Sequence, residues 1–187
     1  IKDLYGQKGY IEAEVQYETH LLENEPVYNV DFQITEGGQY RIGMVRIFGN
    51  VQTNSNVILR ESLLVPGEVF DSRRLKATQQ RLENVGYFKN VNVYAVKSNE
   101  DLGMGSSYRD VYIEVEETTT GHASFFLGFS SLEDVFGGIE LTESNFSGKG
   151  LLMMFKDGFA ALRGGGEYFQ LRGNYGTRQQ NYLASWM

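Results

Sequence analysis

The sequence predicts an α+β fold in which β-α-α-β-β modules, with their helices on one face of a small mixed sheet, precede the first antiparallel strands of a transmembrane β-barrel. Three observations support this prediction. A strand pattern occurs twice before residue 120, helical and strand periodicities alternate between the two copies, and the remaining residues are rich in glycine and aromatic side chains. The chain opens with Ile1, and we expect it to be a piece of a longer polypeptide.

The repeat becomes visible when Gly9 is aligned with Gly86. Each glycine follows a helix-like run and precedes a Tyr and then alternating apolar residues. Farther along, VDFQITE at 30–36 matches VYIEVEE at 111–117, and both stretches alternate apolar and charged residues as half-buried strands do. Residues 1–39 are therefore predicted to be the C-terminal half of one module.

Residues 40–119 contain a complete module. RIGMVRIFGN alternates as a strand, and TNSNVILRESLL predicts a helix capped by Thr53 or Asn54. A second helix is predicted between Asp71 and Gly86, because these residue types favour a helix start and a helix stop. The stripe that packs this helix on the sheet consists of Leu75, Thr78, Leu82 and Val85.

The last strand of the complete module ends in a cluster of acidic residues, Glu114, Glu116 and Glu117. We interpret them as a solvated strand face, which is the common role of alternating glutamates. A cation site is the alternative.

The tail, residues 120–187, holds 12 of the 22 glycines. Its segments of about ten residues carry apolar side chains on one face, which is typical of membrane β-strands. A soluble β-sandwich has the same alternation, so this pattern leaves both folds open. The apolar rows are Ala123, Phe125, Leu127 and Phe129; Val135, Gly137, Ile139 and Leu141; and Phe169, Leu171, Gly173 and Tyr175.

One segment of the tail, about 149–163, departs from the strand pattern. Apolar residues recur there at helical spacing, at Leu151, Met154, Phe155, Phe159 and Leu162. We predict an amphipathic helix that lies along the membrane surface with this stripe in lipid. A strand through Leu151, Met153 and Phe155 is the alternative.

Composition excludes several classes of function. The 17 basic and 24 acidic residues include no basic block, which argues against nucleic-acid binding, and the absence of cysteine excludes thiol chemistry. His20 and His122 have no motif partner for a triad or a metal site. The glycine-rich stretches 103–108 and 163–167 do not lie between a strand and a helix as a phosphate loop does, and we interpret them as a loop and a bend. We therefore assign no catalytic residue, metal or cofactor and do not expect an enzyme.

Several stretches resemble a known family. VRIFGN followed by two helices, RLENVGYFKNVNV and DVYIEVEE resemble the POTRA (polypeptide-transport-associated) module, in which Gly49 and Gly86 would form turns. TESNFSGKG at 142–150 resembles the second-strand turn of the BamA-type outer-membrane assembly proteins, and NYLASWM resembles their fourth barrel strand. The chain thus looks like the junction between the last POTRA module and the start of the barrel.

The resemblance implies a location in the cell outer membrane, with the POTRA modules in the periplasm. It also implies that the chain helps to fold and insert client outer-membrane proteins by pairing strands with them. The first barrel strand then forms a pairing seam, weakly fixed at Gly128 and Ser130, that consists of Ser124, Phe125, Phe126, Leu127, Gly128, Phe129 and Ser130. The POTRA edge strand for client contact is expected at Phe88, Val91, Val93 and Tyr94.

The partners that the resemblance implies are unfolded outer-membrane protein clients, accessory assembly lipoproteins, periplasmic chaperones and outer-membrane lipid, with no nucleic acid. Arg60 and Glu61 match a family position for lipoprotein contact, although a solvated helix end also explains them. Two other functions stay open. One is a POTRA-barrel transporter that secretes polypeptides, of the two-partner or autotransporter-assembly type, and the other is a soluble periplasmic binding module with a β-sandwich tail.

Overall fold

A computed structural model of the chain describes residues 1–22, 26–98, 107–131, 134–177 and 180–187. The chain forms two compact units. The first comprises 1–46, 63–80 and 92–113, and the second comprises 47–62, 81–91 and 114–187. Most of the glycine-rich stretch predicted as a loop, 103–106, lies outside the described residues, as does the side chain of Ser130.

The first segment folds as a short helix and a hairpin. Helix α1 spans Lys2–Gln7, and β1 (Glu14–Leu21) pairs antiparallel with β2 (Tyr28–Thr35). Gly9 and Gly86 both have a positive φ, 93° and 76°, as the aligned turns of the repeat require. Gly9 is nevertheless not followed at once by a strand, because Ala13 N–H donates to Tyr10 O at 3.3 Å and forms a further turn before β1.

A buried arginine links residues on either side of the first module boundary. Arg109 is 8% exposed, its guanidinium lies 3.8 Å from the centre of the Tyr40 ring, and it donates to Glu12. The Tyr40 hydroxyl donates to Glu12 Oε2 at 2.6 Å. The bond from Tyr40, followed by the bond from Arg109, lowers the pKa of Glu12. The three side chains therefore form one charge-assisted cluster.

The complete module has the predicted order of elements. These are β3 (Arg41–Phe48), α2 (Ser55–Glu61), α3 (Ser72–Asn84), β4 (Phe88–Lys97) and β5 (Tyr108–Glu117). The strands form one sheet in the order β3-β5-β4, so β4 lies at an edge. Asn54 rather than Thr53 caps α2, since its side chain accepts a hydrogen bond from Asn56 N–H at 3.0 Å. Asp71 accepts in the same way from Arg73 N–H at the start of α3, at 2.9 Å.

Each unit buries its own apolar side chains. Those of the first unit are Ala13, Ile42, Leu64, Phe70, Val93, Val111 and Ile113, and those of the second are Val57, Ile58, Leu82, Phe88, Val91, Val115 and Phe146. Thr78, from the predicted stripe of α3, is also fully buried, and its hydroxyl accepts a hydrogen bond from Leu63 N–H at 3.0 Å. The polar member of the stripe therefore satisfies a backbone donor just beyond α2.

The tail supplies four antiparallel strands in the order β6-β7-β8-β9. They are β6 (Gly121–Ser130), β7 (Asp134–Phe146), β8 (Glu167–Gly176) and β9 (Gln180–Trp186). Residues directly opposite each other share a face of the sheet, so the register joins the predicted apolar rows into one face. Two rows of this face are Ala123, Leu141, Leu171 and Ala184, and Phe125, Ile139, Gly173 and Tyr182.

The segment between β7 and β8 is helical, but in two pieces. Helix α4 spans Gly150–Asp157, and a 3-10 helix spans Phe159–Leu162. Gly158 lies between them with a φ of 75°, which ends α4, so the predicted single stripe does not continue to Phe159 and Leu162. The apolar residues of α4 are also not confined to one face, because the exposed ones are Leu151, Leu152, Met153 and Phe155. Of the helices in the described ranges, none combines the length and the apolar character needed to cross a membrane.

Candidate functional site

β6 forms one edge of the four-stranded sheet and carries the predicted pairing seam. Its residues pair with β7 along its whole length, from Gly121 opposite Glu143 to Ser130 opposite Asp134. On the apolar face, Phe125, Leu127 and Phe129 are 76%, 84% and 77% exposed. A continuous row of large exposed apolar side chains marks an interaction surface. β6 therefore offers a sheet edge that borders an apolar surface.

On its other face, β6 interlocks with β7 through pairs of an aromatic ring and a glycine. Phe126 lies opposite Gly138, and Gly128 lies opposite Phe136. A Cβ added to Gly138 would lie 2.5 Å from the Phe126 ring, and one added to Gly128 would lie 2.6 Å from the Phe136 ring. Each glycine makes room for the ring across from it, which favours this register. The ring–glycine pairs therefore fix the side of β6 that faces β7, and the interpretation of its opposite edge as weakly fixed at Gly128 and Ser130 stays a prediction.

Polar side chains share this second face with the rings. One row across the sheet consists of His122, Thr142, Gln170 and Ser185. Gln170 Nε2 donates to Glu140 Oε1 at 2.6 Å, and the Arg172 guanidinium lies 5.8 Å from the centre of the Phe126 ring. The sheet thus has one apolar face and one mixed face, the division expected of strands that meet lipid on one side only.

β4, the predicted POTRA edge strand, differs from β6 because its apolar side chains are covered. Phe88, Val91 and Val93 are buried. Tyr94 packs against Tyr112, with the ring centres 5.7 Å apart. A partner could therefore reach β4 through its backbone, by adding a strand, rather than through these side chains.

The carboxylate of Glu117, at the end of β5, organises the loop in front of α2. It accepts hydrogen bonds from the backbone N–H groups of Val51, Gln52 and Thr53, at 2.6 to 3.2 Å. Burial alone would raise the pKa of Glu117, but these donors outweigh it and hold the pKa below its usual value. The prediction of a solvated acidic strand end is therefore wrong for Glu117.

Asn145, near the end of β7, bonds to the same loop. Its side-chain N–H donates to Thr53 Oγ1 at 2.9 Å, and its side-chain oxygen accepts from Gly166 N–H at 2.9 Å. Its backbone oxygen accepts from Gly164 N–H at 2.7 Å. Asn145 and Thr53 are each 3% exposed. One buried side chain thus joins the loop before α2 to the chain that enters β8.

The backbone of the RGGGE stretch at 163–167 also contacts this loop directly. Asn54 N–H donates to Gly164 O at 2.9 Å. Gly164 has a φ of 92°, and a Cβ added to it would lie 2.0 Å from Gln52 O. Any side chain at position 164 would be both strained and obstructed, so glycine is required there. The stretch interpreted from sequence as a bend is therefore also a packing contact.

Arg60 and Glu61, the residues predicted to contact a lipoprotein, lie at the end of α2. Arg60 Nη2 lies 3.5 Å from Gly166 O, and Arg60 Nε lies 3.7 Å from Glu61 Oε1. The side chain of Arg60 is 60% exposed. It also lines a cleft of about 410 Å³ together with Lys149 and Arg163. Arg60 is thus close to the start of β8 and is not simply a solvated helix end.

The two histidines lie in different strands. His20 lies on β1, 3.7 Å from Glu18 and 3.9 Å from Asp31, and all three side chains are exposed. His122 lies in β6. Within the ranges that the structure describes, no group of three or more His, Asp or Glu residues could hold a metal ion.

Sequence reasoning missed the roles of Asn145, Thr53 and Gly164. Asn145 is part of the TESNFSGKG stretch, where an asparagine beside Ser and Gly is typical of a turn. Gly164 is the first of three consecutive glycines, so the sequence alone could not distinguish the one that packs against the loop. The pattern offered no signal for the pairing of Asn145 with Thr53.

Comparison with known proteins agrees with this arrangement. Residues 40–118 match the POTRA family, described as surface antigen variable number repeat. The chain is 27% identical over 163 residues to the outer membrane protein assembly factor BamA of Nitratidesulfovibrio vulgaris, which covers 87% of this chain and 20% of that protein. It is 26% identical over 152 residues to BamA of Neisseria meningitidis, which covers 80% of this chain and 18% of that protein. The chain thus spans about a fifth of the length of these relatives.

Two of the solved structures that share the fold are structures of BamA. The structure of BamA from Haemophilus ducreyi lacking POTRA domains 1–3 aligns with a TM-score of 0.79 at 20% identity and covers 100% of this chain and 31% of that one. The structure of Haemophilus influenzae BamA POTRA3–5 aligns with a TM-score of 0.52 at 20% identity and covers 62% and 44%. Residues 40–118 thus match the POTRA family, and the chain is similar over most of its length to BamA-type outer-membrane assembly factors.

Proposed function

We propose that the chain is the POTRA–barrel junction of a central component of the outer-membrane β-barrel assembly machinery, which folds and inserts client outer-membrane proteins. The observation that carries this proposal is β6, an edge strand with an exposed apolar face that follows directly on the POTRA domain. In this proposal the POTRA domain lies in the periplasm and strands β6 to β9 lie in the outer membrane.

The physical basis is the cost of unpaired backbone groups in hydrocarbon. Each unsatisfied N–H or C=O of a client strand costs several kcal/mol there, so a client cannot enter the membrane as an isolated strand. A sheet edge supplies the missing partners by β-augmentation. The ring–glycine pairs hold β6 on β7, so the client would pair with the other edge of β6 while Phe125, Leu127 and Phe129 face lipid.

The POTRA domain would provide further contacts. The backbone of β4, at the sheet edge, is proposed to receive extended client segments, delivered by periplasmic chaperones. Arg60, with Glu61, is proposed to contact an accessory lipoprotein. The exposure of the Arg60 side chain and its contact with Gly166 support this role, because a partner bound there would act close to the start of β8.

Site-directed crosslinking of the full-length protein in cells tests the pairing seam. Phe129 and Val135 are opposite each other on the same apolar face, but only Phe129 lies on the edge strand. We expect Phe129→Cys to form disulfide adducts with a cysteine in the last strand of a stalled client, and Val135→Cys to form far fewer. Equal adduct yields at the two positions, or no adducts at either Phe129→Cys or Phe125→Cys, would contradict the proposal.

A second experiment separates the membrane function from that of a soluble binding module. In a β-sandwich the face that carries Phe125, Leu127 and Phe129 would be covered by a second sheet, whereas here it is exposed. A spin label at Leu127 in the vesicle-reconstituted protein should be accessible to oxygen and protected from a water-soluble nickel chelate. The opposite accessibility would favour the soluble module.

A further inference from the structure

Three basic side chains from distant parts of the sequence line one cleft of the second unit. Arg60 comes from the last turn of α2, Lys149 directly precedes α4, and Arg163 follows the 3-10 helix. The cleft has a volume of about 410 Å³, and Glu167 is the one carboxylate among its lining residues. Three cations and one anion give the lining a net positive charge.

Two carboxylates outside the lining, Glu61 and Glu143, pair with Arg60 and Arg163, but each uses only part of the N–H donors of its guanidinium. Glu143 pairs with Arg163 through Nε at 2.9 Å, and a guanidinium carries five N–H donors. Glu167 Oε2 accepts from the backbone N–H of Gly148 at 2.8 Å and from Trp186 Nε1 at 2.9 Å. Lys149 forms no ion pair with any residue that the structure describes. The cleft is therefore suited to an anion with several oxygen acceptors, as a phosphate group is.

An exposed apolar helix begins at the same cleft. Lys149 leads into α4, where Leu152 and Phe155 are 88% and 91% exposed, and Phe159 follows at 80%. Gly150 packs the base of α4 against the 3-10 helix, since a Cβ added to it would lie 1.7 Å from Ala161 O. Exposed aromatic and aliphatic residues beside a basic cluster are the signature of a surface that binds anionic lipid.

We propose that the cleft of Arg60, Lys149 and Arg163 binds the phosphate of an anionic phospholipid whose acyl chains lie against α4. The inference rests on the proposed membrane function, because the apolar residues of α4 need a bilayer beside them. It deepens that function by naming the class of lipid and the residues that select it. A free acidic peptide or inorganic phosphate would match the cations but would leave Leu152, Phe155 and Phe159 uncovered.

The test measures lipid retained by the detergent-solubilised protein in native mass spectrometry. The protein is incubated with phosphatidylglycerol and with phosphatidylcholine of the same acyl chains. We expect wild type to retain phosphatidylglycerol preferentially, and the double variant Arg60→Gln, Lys149→Gln to lose this retention by about tenfold or more. The matched control Lys76→Gln, Arg81→Gln removes two exposed cations from α3 and should leave retention unchanged. Arg163 is left intact because of its pairing with Glu143.

Each measurement has an outcome that would contradict the proposed lipid site. The double variant Leu152→Ser, Phe155→Ser should reduce retention of both lipids. Equal retention of the two lipids by wild type, or equal phosphatidylglycerol retention by wild type and the Arg60→Gln, Lys149→Gln variant, would overturn the proposal. So would millimolar inorganic phosphate binding in the cleft without lipid retention. If wild type prefers phosphatidylglycerol but Phe129→Cys captures no client, the lipid site stands and the proposed assembly function fails.

Discussion

The side-chain amide of Asn145 donates a hydrogen bond at 2.9 Å to Oγ1 of Thr53, 92 positions earlier in the chain, and both residues are buried. The bond joins the loop before α2 to the end of β7. Because the side-chain oxygen of Asn145 also accepts a hydrogen bond from Gly166 N–H, both the nitrogen and the oxygen of its amide have hydrogen-bond partners.

Asn145→Ala should loosen the junction more than Thr53→Val does. The first change leaves the Gly166 N–H without its acceptor and removes the donor to Thr53 Oγ1, whose hydroxyl still contacts Glu117, and a buried unsatisfied group costs about 1–3 kcal/mol. Hydrogen exchange at the amides of Asn54 and Gly166 measures the effect. The exposed Asn29→Ala serves as the control, and unchanged exchange in Asn145→Ala would show that the bond does not stabilise the junction.

Gly164→Ala should lower the melting temperature more than Gly67→Ala. The two glycines have similar positive φ values, 92° and 88°, so the strain of adding a Cβ, about 1–2 kcal/mol, is common to both. Only Gly164 has an obstruction, Gln52 O at 2.0 Å, whereas a Cβ at Gly67 meets nothing within 4 Å. Equal melting temperatures for the two variants would mean that the loop moves away from position 164 without cost.

Glu117→Gln should reduce stability at neutral pH and flatten its dependence on acid. The folded state lowers the pKa of Glu117, so its stabilisation is fully present above the unfolded pKa, about 4.3, and is lost as the pH falls through the lower folded pKa. Unfolding by urea at pH 7 and at pH 3 measures the difference. Glu116→Gln is the control, because Glu116 is an exposed partner of Lys89, and such pairs contribute about 0–1 kcal/mol. A similar loss in both variants would contradict the loop-organising role of Glu117.

Arg109→Lys should increase proteolysis near the boundary between residues 1–39 and the POTRA domain. Lysine keeps the charge but loses the planar guanidinium that lies 3.8 Å from the centre of the Tyr40 ring and donates to Glu12. Tyr40→Phe keeps the ring and removes only the hydroxyl bond to Glu12, so a smaller increase is expected. If Arg109→Lys is cleaved no faster than wild type, stacking on Tyr40 does not hold the boundary.

The strands of the tail show which structural features a sequence pattern can predict. The alternation in 122–131 and 167–176 predicted β6 and β8 and their apolar faces, because side-chain direction in a strand depends only on parity along the chain. The structure of segment 149–163 is only partly predictable from its sequence. Helical spacing indicated a helix there, but the left-handed Gly158 divided it, and spacing carries no information about a backbone angle.

The sequence by itself determined the order of elements in the module, the start of α3 at Asp71, a cap of α2 at either Thr53 or Asn54, and the apolar face of the tail, since caps and periodicities involve residues only a few positions apart. The structure selected Asn54. Tertiary structure alone decided that Glu117 serves the loop at 51–53, that Asn145 meets Thr53, and that Arg60, Lys149 and Arg163 share one cleft. Each of these contacts depends on which side chain from a distant part of the sequence lies beside a given buried donor or charge. That proximity arises only when the strands and helices pack, because no spacing within the sequence encodes the partner of a buried polar group.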